Sequence, residues 1–175
     1  MALGGDIGGD NLVSASMSNG DDQSLDAGSG MYATIGASLT PLWLGDVVGF
    51  GVGSRIGIKY DSIDAKNGSV HLARYPFSLW IHTYLRISER WYLNVAGGGH
   101  KELSPGLSGD GVAADVQADF QSPWGWMGEG GFVFAETWHT AVGFSLRYTK
   151  ISYTIAGHAL DASNIGFGLT LYLNP

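Results

Sequence analysis

The sequence contains no cysteine. That excludes a disulfide scaffold, a thiolate metal centre and a cysteine nucleophile, and it agrees with export through an oxidising compartment. Charge is scarce too: charged residues make up 14% of the chain, against a usual share of about 25%. A soluble domain this poor in charge has little with which to cover its surface. The net charge of -7 argues against nucleic-acid binding, which needs a basic face. No apolar run approaches the roughly 18 residues of a transmembrane helix. Nor does Met1 open a basic n-region followed by an apolar h-region, so no signal peptide is visible.

Glycine and alternation are abundant instead. Glycine accounts for 28 of the 175 residues, more than double the usual share of about 7%, which suits bending strands and a crowded interior. By length the chain is a single domain, residues 1–175. The last strand, Asn164 to Leu173, has Ile165, Phe167, Leu169, Leu171 and Leu173 on one face and Gly166, Gly168, Thr170 and Tyr172 on the other. This period of two recurs along the chain and predicts eight strands.

A first strand over Leu3 to Ser18 leads to the hairpin signal Asn19-Gly20, its GGDNL segment read as a Gly-rich strand start. The second strand places Met31, Ala33, Ile35, Ala37 and Leu39 on its apolar face and ends in a turn over Thr40 to Asp46. The third runs from Val48 to Tyr60, followed by a polar loop, Asp61 to Ser69, containing Asn67-Gly68. The fourth carries Tyr75, Phe77, Leu79 and Ile81 against Arg74, Ser78, Trp80 and His82, with Pro76 expected to weaken it. The fifth starts at Trp91 and gives way to a long loop over Lys101 to Gln121. The sixth and seventh place Phe132, Phe134, Val142, Phe144 and Leu146 on the apolar face, and a polar loop around Ala156 to Ser163 precedes the eighth.

Connections alternate between short turns and longer, more acidic loops, as in bacterial outer-membrane barrels. Trp43, Trp91 and Trp138 sit at the three short turns on the apolar faces of their strands. Tyr60, Tyr75, Trp124, Trp126 and Tyr148 lie at the other end. Two aromatic belts, one periplasmic and one extracellular, are expected where amphipathic rings meet lipid headgroups. The expected fold is therefore an all-β, transmembrane, eight-stranded antiparallel up-and-down barrel. The alternative is a soluble ligand barrel with its apolar face inward. The expected location is the bacterial outer membrane, with the export signal removed and Met1 at the start of the mature chain.

The chain resembles the small eight-stranded outer-membrane β-barrel proteins of Gram-negative bacteria. Its last strand is similar to the C-terminal signal read by the barrel assembly machinery, matched by Asn164, Gly166, Leu169 and Leu171, although it ends Leu173-Asn174-Pro175 rather than on an aromatic. ARYPFSL (Ala73 to Leu79), GEGGFVF (Gly128 to Phe134) and SLRYTKISYT (Ser145 to Thr154) also resemble an uncharacterised outer-membrane barrel group. The resemblance implies outer-membrane lipid, lipopolysaccharide and the assembly machinery as partners, with a protein partner reachable through the loops. It supplies no activity.

The inward charges are Arg55, Lys59, Arg74, Glu129 and Arg147. Glu129 and Arg147 are expected to pair, with Arg74 or Arg55 reaching in from across the lumen. An eight-stranded barrel is just wide enough for side chains to fill it, so these residues are read as an interior ionic network plugging a structural or surface-interaction barrel. A narrow channel for small solutes or ions, lined by Arg and Lys, is the alternative. His82 and His139 are read as inward. His71, His100 and His158 could approach one another near the loops, but no HExxH or other metal spacing occurs. The acidic loop residues Asp21, Asp22, Asp61, Asp64, Asp110, Asp115, Asp119 and Asp161 are read as a solvated surface, with a weak Ca²⁺ or Mg²⁺ site as the sharper possibility. No His and Ser two residues apart on one strand face, the spacing that lipid A deacylase barrels carry, are read in this chain, and Glu129 is placed inside. Neither an enzyme, a cofactor nor a structural metal is expected.

Overall fold

The structure, a computed structural model, describes all residues except 17–21, 66–67, 112, 116, 138, 156 and 174–175. The signals Asn19-Gly20 and Asn67-Gly68, and Trp138 of the expected periplasmic belt, fall wholly or partly outside the described residues. Among the described residues thirteen strands are present: β1 (Ala2–Ile7), β2 (Asn11–Ser16), β3 (Asp22–Asp26), β4 (Gly30–Leu44), β5 (Val48–Ala65), β6 (Gly68–Arg86), β7 (Trp91–Gly111), β8 (Gln117–Asp119), β9 (Gly125–Ala135), β10 (Thr140–Lys150), β11 (Ser152–Ile155), β12 (His158–Asp161) and β13 (Asn164–Leu173).

Eight of them close a barrel. Sheet order runs β6-β5-β4-β1-β13-β10-β9-β7, and β6 pairs with β7 to complete the ring. Every wall pairing is antiparallel. The N-terminal strand closes against the C-terminal one, Leu3 opposite Leu169 and Ile7 opposite Ile165. β1 is shorter than its neighbours and pairs with β4 only over Gly30–Thr34, so among the described residues the β1-facing edge of β4 from Ile35 to Leu44 pairs with no strand.

Polarity is inverted relative to a soluble domain. Leu39 is 71% exposed and Ile81 70% exposed on the outward face, whereas Lys59 is 1% and Arg74 0% exposed inside. Ile35, Val52, Phe132, Phe144 and the outward row of β13 are likewise exposed. The alternation read from the sequence assigned these faces, because a period of two fixes which residues share a side once the register is set.

Several boundaries differ from the sequence reading. The first barrel strand is only β1: Gly8 and Gly9, at φ 132° and 88°, turn the chain out of the wall, and the Val13 segment forms the separate hairpin β2–β3. The expected turn at Thr40 to Asp46 is shorter. β4 continues to Leu44 through an irregularity between Leu39 and Leu42 that accommodates Pro41, and the reversal falls at Gly45 and Asp46, both at positive φ. The expected loops Asp61 to Ser69 and Lys101 to Gln121 are largely strand. β5, β6 and β7 rise to Ala65, Gly68 and Gly111, well past the roughly 9–11 residues that a bilayer crossing requires. The Ala156 to Ser163 loop contains much of the hairpin β11–β12. At Pro76 the β5–β6 ladder lapses between Ile56↔Phe77 and Lys59↔Arg74 without changing register, as expected where no N–H is available.

The rising strands and the two hairpins meet over the barrel mouth. Leu25, Ala27, Ile63, Val70, Leu72, Leu107, Phe120, Ile151, Tyr153 and Ala162 form a buried apolar cluster there. One end of the barrel is therefore capped by a small core of its own, and the other carries only short turns.

Candidate functional site

The interior is filled in three tiers. At the short-turn end His82 accepts or donates a 3.0 Å bond with Thr40, and Tyr84 packs edge-on against His82 with ring centroids 5.0 Å apart. In the middle Arg55 donates to Glu129 Oε2 at 2.8 Å, lies close to Met127 Sδ at 3.3 Å and covers the Trp80 ring at 5.1 Å. This pair spans the lumen between β5 and β9.

Beneath the cap is the densest group. Lys59 Nζ lies 2.8 Å from Asp6 Oδ2 and 3.5 Å from Glu102 Oε1. Arg147 Nη2 lies 3.0 Å from Asp6 Oδ1, and its guanidinium sits 4.4 Å from the centre of the Tyr32 ring. Arg74 Nε faces Glu102 at 3.6 Å and Tyr153 donates its hydroxyl proton to Glu102. All of these groups are buried. Two of the cations also grip the cap: Lys59 donates to the Gly28 carbonyl at 2.6 Å, and Arg74 donates to the Ala27 and Ser29 carbonyls. The network therefore latches the segment after β3 onto the mouth. Burial, with Glu102 beside it, pushes the phenol of Tyr153 well above its ordinary range, so it remains a donor.

Glycine makes room for this packing. A Cβ at Gly166 would collide with the Asp6 carboxylate, and one at Gly168 with the Tyr32 hydroxyl. The small inward face of the last strand is thus the floor on which Asp6 and Tyr32 lie.

The sequence-predicted residues Arg55, Lys59, Arg74, Glu129 and Arg147 all point inward, but the expected Glu129–Arg147 pair is replaced. The two face each other in register across β9 and β10, yet Glu129 takes Arg55 and Arg147 takes Asp6. Asp6 supplies the second carboxylate that the sequence reading did not count, so one Glu no longer has to serve every Arg. Asp6, Glu102 and Tyr153 were missed, and His100, read as lying toward the loops, is buried inside. Asp6 and Glu102 both hold the inward parity of their strands; Tyr153 belongs to the cap and carried no such signal.

Trp43 and Trp91 are outward and exposed near the short turns, as are Tyr60, Tyr75, Trp124, Trp126 and Tyr148 toward the capped end. Asn164 and Gly166 of the expected assembly signal are inward, and Leu169 and Leu171 outward. The histidines are dispersed: His71 lies on the outer wall, His100 is buried inside and His158 is exposed, so these three do not converge. His82 is inward, but His139 is exposed before β10 rather than inward. Among the described residues no group of three His, Cys, Asp or Glu side chains could hold a metal ion.

Among the described residues two Ser–His contacts involve β6, one reaching across to β7 and one along β6 itself. Ser78 Oγ is 2.9 Å from His100 Nδ1, and His100 Nε2 is 3.7 Å from Glu102. That order of groups could activate a serine, but all three are sealed inside and Glu102 is committed to Lys59 and Arg74. The second contact, Ser69 with His71, is exterior, and it corrects the sequence reading: these residues are a Ser and a His two apart on one strand face. An open groove of about 690 Å³ on the wall is lined by residues of β4 to β7, among them Leu39, Val52, Ser54, Leu79 and Ile81.

No protein-family model matches the chain, and no curated protein matches it.

Proposed function

We propose that the chain is an integral outer-membrane β-barrel protein with a structural or surface-interaction role, its lumen closed by side chains. The observation that carries this reading is the inverted polarity of the wall. Exposed Leu39, Ile81 and Leu169 surround an interior of buried Lys59, Arg74 and Glu102. Apolar surface on this scale is costly in water, and the antiparallel pairing around the barrel satisfies most wall backbone groups without water, as lipid demands. A soluble ligand barrel has the opposite arrangement.

The closed interior supports a non-conducting role over a channel. Arg55 and Glu129 cross the lumen, and the Asp6–Lys59–Glu102 network lies under an apolar cap. The capped end is then a rigid platform facing outward, where lipopolysaccharide or a partner protein would be met. Insertion would proceed through the barrel assembly machinery, with Asn164, Gly166, Leu169 and Leu171 read on the last strand. Planar-bilayer recording on refolded protein tests the closed lumen. Silence across a range of voltages and salts is expected, and steady unitary conductance refutes it.

A further inference from the structure

The wall opens along one line. β1 lies between β4 and β13, and burial on both flanks changes where it stops. Beside β1, inward Tyr32 and Thr34 of β4 are buried between exposed Met31 and Ala33. Past it the alternation ends: inward Gly36 and Ser38 are exposed along with outward Ile35, Ala37 and Leu39. β13 repeats the change, with inward Asn164, Gly166 and Gly168 buried but Thr170 and Tyr172 only half-buried. Met1 and Leu171 exchange backbone hydrogen bonds at 2.9 and 2.8 Å. Beyond them Tyr172 and Leu173 pair only with β10 among the described residues. The two facing edges bound a seam that continues the line of β1 toward the short-turn end.

An open strand edge is a row of backbone N–H and C=O groups at the repeat of an extended chain, and another polypeptide backbone matches it group for group. An acyl chain has nothing to donate or accept there, so lipid leaves the row unsatisfied. Direction and register follow from β1, which runs antiparallel to both flanks with Ala2 opposite Thr34 and Thr170. A strand continuing that line enters from the short-turn end and faces Thr40, Leu39, Ser38, Ala37 and Gly36 in turn. The irregularity between Leu39 and Leu42, with Pro41 inside it, ends the regular edge beyond Thr40, as bulges and proline do on other strand edges. Positions beside Gly36, Ser38 and Thr40 point inward, where small or hydroxyl side chains fit. Positions beside Ala37 and Leu39 point outward and suit apolar ones. A second copy cannot offer its own β4 edge, because two β4 strands inserted in one direction cannot run antiparallel.

We propose that this seam is a strand-docking site for an extended segment of a partner protein. The segment inserts antiparallel between β4 and β13, with apolar side chains beside Ala37 and Leu39 and small or hydroxyl ones beside Gly36, Ser38 and Thr40. The ladder already formed by β1 is what the segment prolongs, and its insertion covers the exposed inward face of β4. The seam and its register stand on strand pairing alone. The side from which the partner enters, periplasmic if the barrel spans the outer membrane, and the exclusion of a second copy rest on the membrane reading above.

The test uses the refolded chain in detergent and a fluorescent peptide of the order Thr, Leu, Ser, Leu, Gly behind a lysine tag, followed by anisotropy. Saturable binding is expected. Methylating the alternate amide nitrogens that point at β4 should weaken it at least about 10-fold, since several ladder bonds are lost together. Because the chain has no cysteine, single cysteines read the register. A thiol-bridging fluorophore should join Ala37→Cys to a peptide with cysteine as its fourth residue. The bridge should form at least about 10-fold faster than with Met31→Cys, since only directly facing side chains stand about 5 Å apart and Met31 lies beside β1. Heat-shifted gel mobility confirms that each variant is folded. No binding, binding indifferent to methylation, or equal bridging at Met31→Cys and Ala37→Cys overturns the docking site. Bridging of two protein chains through Ala37→Cys without peptide assigns the seam to a second copy and overturns the partner. Displacement of the peptide by a short-chain phospholipid assigns the seam to lipid and overturns it likewise. Register-specific binding by a chain soluble without detergent overturns the membrane reading and not the docking site.

Discussion

Replacing Glu102 by Gln should loosen the capped end of the barrel more than any other single neutralisation in the interior. Gln keeps the shape of the side chain and can still accept from Tyr153. What it removes is the countercharge facing Lys59 at 3.5 Å and Arg74 at 3.6 Å. At these separations each pair is worth on the order of 4–5 kcal/mol at an effective dielectric constant near 20. The relief of not burying a carboxylate offsets several kcal/mol of that sum. Lys59, Arg74 and Arg147 are left with Asp6 as the one remaining carboxylate of the network. A net loss of about 3–5 kcal/mol follows, the range for removing one partner of a buried pair. Glu129→Gln should cost less, on the order of 1–3 kcal/mol, because Glu129 and Arg55 retain 10% and 12% side-chain exposure. Equilibrium urea unfolding in detergent, followed by gel mobility, measures both. Limited proteolysis should reveal earlier cleavage near Gly28 in the Glu102 variant alone. A Glu102→Gln loss below about 1 kcal/mol, or one smaller than that of Glu129→Gln, refutes the latch.

The other perturbations divide by face. Gly166→Ala should break the Asp6 contacts to Arg147 and Lys59, because its Cβ meets the Asp6 carboxylate, whereas Gly128→Ala, whose Cβ meets nothing within 4 Å, should be neutral; thermal unfolding compares them. Leu169→Arg places a charge on an exposed outward position and should cost about 2–4 kcal/mol near a bilayer midplane, while inward Thr170→Ser should leave vesicle refolding yield unchanged. Asp161 is held below the usual carboxylate range, first by the Ser163 hydroxyl and then by the Ser163 N–H and Lys150. The stability it gives the β11–β12 hairpin is therefore full above about pH 4 and is lost as pH falls through its lowered folded value. Protease nicking of that hairpin should begin only below pH 4, and Asp161→Asn should remove the pH dependence.

The wall was legible in the sequence and the cap was not. In β13, for example, strict alternation between aliphatic and small residues assigns both faces without any knowledge of its neighbours. The reversal at Gly45 falls inside the turn read over Thr40 to Asp46, since a short connection has strong local chemistry. The cap is built from Leu25, Ile63, Leu72, Phe120 and Tyr153, which are single apolar residues scattered among polar ones in five separate segments. No local period marks them, and their polar neighbours read as solvated loop. Inward parity identified the interior cations and offered Arg55 as one that reaches Glu129 from across the lumen, but not the carboxylates Asp6 and Glu102 that the others take. Strand register placed Arg147 opposite Glu129, whereas the longer reach of Arg55 across the lumen decided which cation Glu129 takes. Asp6 escaped notice because its flanking glycines read as the start of a strand that runs elsewhere. Ser69 and His71 escaped because the β6 extension read as loop, where alternation has no meaning.

The central claim is that the apolar face meets lipid while the charged face is enclosed. Two single-tryptophan variants, one keeping outward Trp126 and one keeping inward Trp80, test it in vesicles containing lipids brominated along the acyl chain. Strong quenching of Trp126 by the brominated chains, weak quenching of Trp80, and protection of both from aqueous iodide are predicted. Quenching of Trp126 by iodide rather than by brominated lipid would contradict the account.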